Sequence, residues 1–225
     1  MTFNSFFAKF LRFIGIVLMA ITGGFTLLGG IGTTCAALAP TKYESMAKLA
    51  PFQWLYILFV LAGIAIGILG VWATVKLVKG TPDSYLMSIK TLAAGLVVGE
   101  FHIYVSQMLR GKSMPVDAVV YTTTFTLAIF LLFKIPSIWQ GVDFTKAKAS
   151  DSTKAGGAAA IATGLFTLTI QYTMGSTHTW GGVNYADAFN ISMTIIGIGL
   201  LLMGAGILFS LSYAKGTALK LQALE

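Results

Sequence analysis

Six polar side chains stand within eleven residues of one apolar run: in GLVVGEFHIYVSQMLRG, residues 95–111, the chain carries Glu100, His102, Tyr104, Ser106, Gln107 and Arg110. A carboxyl group can hold a proton or a cation, an imidazole can shuttle a proton or ligate a metal, and a guanidinium can pair with a carboxylate or a carbonyl. At 100° per residue of helix, Gly95, Gly99, His102 and Ser106 fall within an arc of roughly 60°, with Arg110 at its edge. Glu100, Tyr104 and Gln107 fall on nearly the opposite side. A helix with two polar faces is expected near the centre of a bundle. Gln171, closing a later apolar run, is expected at a similar level, as are Asp117, Tyr121, Tyr172, Asp187 and Asn190. Together they would form a polar pocket on the external side.

Three chemistries fit such a cluster. Glu100 and His102 can simply hold helices together by hydrogen bonds; Glu100 can titrate in a proton or cation pathway; or the group can hold a ligand. Haem ligation by His102 and His178 would need an external loop folded inward, with Met108 or Met174 as substitute ligands, and quinone is the other cofactor to consider. The chain contains no Walker-type loop, GxSxG, HExxH or carboxylate pair at metal spacing, so no catalytic residue and no metal site is expected. Cys35 is the single cysteine, which rules out an intrachain disulfide and a cysteine-built zinc or iron–sulfur centre within this chain.

The elements that position these residues are membrane helices. Of 225 residues, 56% are hydrophobic and 10% charged, against roughly a quarter charged in a soluble domain. Six runs, about 13–39, 52–75, 85–109, 116–135, 156–174 and 188–213, approach or exceed the roughly 20 residues that span a bilayer core. The expected fold is an all-α polytopic integral membrane protein, one transmembrane domain of six helices. Phe3, Phe6, Phe7 and Phe10, with Lys9 and Arg12 among them, have the spacing of a short interfacial helix before the first span.

The net charge of +7 points to topology rather than to nucleic acid, because the cations lie between apolar runs. With six spans, one side holds ten of them (Lys9, Arg12, Lys76, Lys79, Lys134, Lys146, Lys148, Lys154, Lys215, Lys220) and the other four (Lys42, Lys48, Arg110, Lys112). That excess places both termini and the loop 136–155 in the cytoplasm. By composition GVDFTKAKASDSTKAGG, residues 141–157, is a flexible loop able to meet anionic lipid. Lys90, two turns from a helix end, can snorkel.

Gly63, Gly67 and Gly70, and Gly95 and Gly99, form small-residue spacings that allow close helix approach. GIAIGILG at 63–70 is loosely echoed by GIGLLLMGAG at 197–206, an echo that glycine-rich apolar helices produce by composition alone. Thr122, Thr123, Thr124 and Thr126 are expected to bond to their own helix's carbonyls or to pack between helices.

The function these features favour is a non-enzymatic membrane subunit that stabilises a larger assembly of itself or of other membrane proteins. A small transporter or channel using Glu100 is the alternative, and a haem- or quinone-binding anchor of a redox complex a weaker one. The expected partners are the lipid bilayer and membrane subunits, and the compact chain with short loops points to a bacterial inner membrane.

Overall fold

In the computed structural model the described residues are 2, 5–42, 44–113, 115–146, 149–174, 179–180, 183–184, 187 and 190–222. They are almost entirely helical: α1 (Phe6–Gly32), α2 (Thr34–Leu38), α3 (Gln53–Lys79), α4 (Ser84–Arg110), α5 (Val116–Phe133), α6 (Pro136–Val142), α7 (Ala149–Met174) and α8 (Asn190–Gln222). Short 3-10 turns lie at 40–42, 44–52 and 144–146, and Thr179–Trp180 pairs antiparallel with Val183–Asn184 in a two-residue ladder.

Helices α1, α3 and α4 each have an identifiable start or stop. The Ser5 hydroxyl accepts from the Ala8 N–H at 3.2 Å and opens α1, the role of an N-cap serine. Residues 6–12 are the first turns of α1, continuous with the rest of the helix, so they do not form a separate interfacial helix. Gly80, at φ 66°, closes α3: its N–H reaches Leu77 O and that of Thr81 reaches Lys76 O, the paired bonds of a Schellman stop. Gly111, at φ 72°, ends α4.

Among the described residues five segments are long and apolar enough to cross a membrane: Phe6–Leu38, Met46–Lys79, Ser84–Arg110, Val116–Phe133 and Asn190–Ala214. At 1.5 Å per residue, a helix of 27 residues such as α4 is about 40 Å long, longer than a hydrocarbon core of about 30 Å. Helix α7 has the length, 26 residues, but is not among the five. Its polar opening, SDSTK, and its alanines, glycines and threonines lower its hydropathy.

The central helix is α1, which packs on α3, α5, α6 and α7. Helix α4 lies to one side, between α3 and α5, and α8 leans chiefly on α7. The expectation of a central α4 is therefore incorrect, and the reason is the packing rule inside lipid. Small residues, not polar ones, decide which helices meet most closely, and α1 brings Gly15, Gly23, Gly24 and Gly30 to the interior.

Two antiparallel helix pairs are joined backbone to backbone. A Cβ on Gly23 would lie 2.8 Å from the Gly70 carbonyl carbon, one on Gly30 2.8 Å from Ile64 N, and one on Gly67 2.5 Å from Leu27 Cα. In the α7–α8 pair a Cβ on Gly164 would lie 2.8 Å from Gly197 O, and one on Gly204 2.5 Å from Gly157 O. The displacement between the pairs is the same 134 residues for all four glycines (157 against 23, 164 against 30, 197 against 63, 204 against 70). The loose echo of 63–70 in 197–206 thus has a structural counterpart: each hairpin closes on two glycine contacts seven residues apart.

Apolar packing concentrates near the two ends. Toward the lysine-rich end Ile16, Met19, Leu77, Leu92, Phe130, Phe133, Val142 and Phe144 form one cluster. Toward the other, Ala36, Ala37, Leu49, Tyr56, Phe59 and Val60 form a second.

Candidate functional site

The polar run on α4 does not converge. Its two arcs separate as the helical arithmetic requires, and the neighbours decide which arc is inside. Gly99 sits against Val120, where a Cβ would come within 2.5 Å of Val120 Cγ2, and Gly95 faces Ile66 and Thr123. That close approach turns His102 and Ser106 inward, where both are buried. The His102 ring lies flat on Phe59, centroids 4.2 Å apart and planes 14° from parallel, with Tyr56 edge-on at 5.3 Å. One turn further, the hydroxyls of Tyr56 and Ser106 meet at 2.8 Å. Inside a membrane such a pair satisfies two groups that no solvent reaches.

Glu100 and Tyr104 look the other way. Glu100 is exposed, and around it Val97 is 70% exposed, Tyr104 61% and Met108 69%. Glu100 is three residues past residue 97, the middle of Ser84–Arg110, so it stands about 5 Å along the axis from the helix centre. Gln107 and Arg110 serve the end of the helix. Gln107 donates to Ser113 Oγ at 3.4 Å, which donates to Asp117 Oδ2 at 3.3 Å, tying α4 to α5. Arg110 Nη1 contacts Met46 Sδ at 2.7 Å and Nη2 donates to Lys112 O at 3.3 Å. Gln171 lies on α7 with its side chain outside the described residues, as do His178 and Tyr185 entirely.

Between α1 and α5, Thr22 and Thr126 share a hydroxyl hydrogen bond of 2.7 Å. Thr122, Thr123 and Thr124 instead bond to the carbonyls four residues back, at 2.8 to 2.9 Å, as expected of threonines in a membrane helix. Thr22, Thr26, Thr91 and Thr123 line a cleft of about 10 Å³, about the minimum that holds one water.

At the lysine-rich end lies a second polar cluster that the sequence reading missed. Arg12 is 4% exposed and its Nη1 donates to the carbonyl of Gly141. Lys9 stands 3.6 Å from Asp151 of α7. Residues 141–144 are all buried, and Phe144 reaches the space over Gly15, where a Cβ would be 3.1 Å from its Cζ. The segment expected as a flexible loop is therefore a plug: α6 and the following turn fold back under the bundle, and 149–157 opens α7. Composition misled here because the few apolar residues, Val142 and Phe144, are the ones that bury.

Asp143 ties off the plug, accepting from the Thr145 hydroxyl at 2.7 Å and its N–H at 3.1 Å, with Lys146 at 3.1 Å. Burial alone would raise the Asp143 pKa, but these donors outweigh it and hold the carboxyl below its ordinary value. Asp83 does not cap α4 with its side chain; it takes hydrogen bonds from Lys76 and Thr81, which lower its pKa. Lys134 lies 4.4 Å from the Trp139 ring centre and 5.1 Å from that of Tyr85, a cation held against two aromatic faces. A signal for Arg12 was present in the sequence: Arg12, Ile16, Met19 and Gly23 follow a single helical stripe into the glycine face.

Comparison of the chain with protein-family models, with curated proteins and with solved structures finds no match.

Proposed function

We propose that the protein is a non-enzymatic integral membrane subunit that packs in and stabilises a larger membrane assembly. The observation that carries this reading is the outward carboxyl group: Glu100 is exposed close to the middle of α4, on the face turned away from α3 and α5. An acidic or basic side chain at the centre of a membrane helix costs about 2.5–3.5 kcal/mol, and a neighbouring subunit that hydrogen-bonds it removes much of that cost. In this reading α7 is the sixth span. Both termini and the plug at 136–146 then face the cytoplasm, where the excess of lysine belongs, and the compact chain fits a bacterial inner membrane.

A flux pathway through Glu100 has less support, because its face of α4 looks away from α3 and α5. A haem site has less still, since the ring of His102 is covered by Phe59 and Tyr56. The test is extraction into a native-lipid particle followed by mass measurement of the intact complex. A defined species heavier than the 23.9 kDa chain is expected, and a lone monomer at native abundance would overturn the reading.

A further inference from the structure

We propose that the assembly contains copies of this chain paired through α4, with Glu100 of one copy hydrogen-bonded to the Tyr104 hydroxyl of the other across a two-fold axis along the membrane normal. This rests on the subunit reading above and names the partner it leaves open.

The unpartnered face of α4 is a seam with a definite period. Leu86, Lys90, Val97, Glu100, Tyr104 and Gln107 are all exposed, and with the half-buried Ala93 they alternate steps of four and three residues along the helix. A 3.5-residue period keeps one stripe in register with a parallel neighbour and gives the left-handed crossing common to membrane bundles. Among the described residues no other helix covers the stripe, since α4 packs chiefly on α3 and α5 and these seam positions stay exposed or half-buried.

The polar groups of this seam suit a second copy. Glu100 accepts hydrogen bonds and the Tyr104 phenol donates them, and they lie one turn apart on the same stripe. When two such seams mesh in parallel, the hole that receives Glu100 is formed by Val97, Glu100, Phe101 and Tyr104 of the second copy. Each dimer then holds two Glu–Tyr bonds, with Val97, Phe101 and Met108 excluding lipid around them. A different partner would have to bring its own donor to that depth, whereas this face carries donor and acceptor together.

The test uses the full chain with its single cysteine replaced, Cys35→Ser, in native-lipid particles. One reporter, Val97→Cys, is on the seam; the other, Val71→Cys, is on the outer face of α3, where Val71 is 44% exposed. Under mild oxidation the seam reporter is expected to give a covalent dimer and the α3 reporter none. Glu100→Leu and Tyr104→Phe, which touch no interior packing, are each expected to lower the dimer yield about fivefold, and Glu100→Gln, still able to accept, to retain most of it. Equal dimer yields from both reporters, or an unchanged yield in Glu100→Leu, would overturn the pairing. A heavy particle that gives no dimer at Val97 would overturn the second copy as partner and leave the subunit reading standing, whereas a monomeric particle would remove both.

Discussion

Replacing Gly67 by alanine tests whether backbone contact between α1 and α3 holds the fold together. The new Cβ would lie 2.5 Å from both Leu27 N and Leu27 Cα and 2.7 Å from Leu27 Cβ, about 1 Å closer than the 3.5–4.0 Å of a relaxed carbon contact. Two of those three atoms are backbone, so no rotamer change relieves the clash. The helices must separate by about 1 Å, which also opens the contacts of Gly23 with Gly70 and of Gly30 with Gly63. A gap of that size forfeits a quarter to a half of each dispersion contact it crosses, and overpacking of this kind costs about 1–3 kcal/mol. The control is Gly199→Ala on α8, where no atom lies within 4 Å. Both variants share the gain of about 0.5–1 kcal/mol from alanine in a helix, so their difference isolates the packing cost. Reversible unfolding in bicelles by a denaturing detergent should place Gly67→Ala about 1–3 kcal/mol below Gly199→Ala. Agreement of the two within about 0.5 kcal/mol would refute the claim that these glycines hold the bundle.

Three further outcomes are expected. For the Tyr56–Ser106 hydroxyl pair, the cycle of Tyr56→Phe, Ser106→Ala and the double variant should give a coupling of about 0.6 kcal/mol and no more than about 1.7; zero coupling in the same unfolding assay would mean that the bond contributes nothing. Arg12→Gln removes a charged donor from the Gly141 carbonyl, a bond worth about 1.5–3 kcal/mol, so limited proteolysis should cut within 136–146 about ten to a hundred times faster. Acid should loosen the plug. The lowered Asp143 pKa means that its contribution is fully present above the ordinary aspartate value of about 3.9 and is lost as the pH falls below that through the folded-state value. A protease active in acid should show that loss as the pH falls below about 4, with a shallower slope in Asp143→Asn.

What the sequence revealed and what it hid follow from one physical difference. Helical arithmetic separated Gly95, Gly99, His102 and Ser106 from Glu100, Tyr104 and Gln107, and the structure keeps that division. The polar groups alone could not tell which set turns inward, because in lipid the inward set is chosen by where small residues let backbones meet, and that depends on Val120 and Phe59 of other helices. Residues 141–144 show the converse limit. Their polar surroundings suggested a loop, yet Phe144 joins Phe133 over Gly15 and Val142 is buried in the same cluster, a fit visible only once α1 and α5 are placed. The Thr22–Thr126 bond spans 104 positions, and nothing local to either threonine marks the other.

The contact between Arg12 and Gly141 also orders events in time. The two residues are 129 positions apart, so at 5–20 residues per second roughly 6–26 s of synthesis separate them. Throughout that interval Arg12 lacks this acceptor, and α3, α4 and α5 are all made before the carbonyl that receives it. Helix α1 is thus made well before the contact that completes it, and the plug forms only once the chain has been read through Gly141.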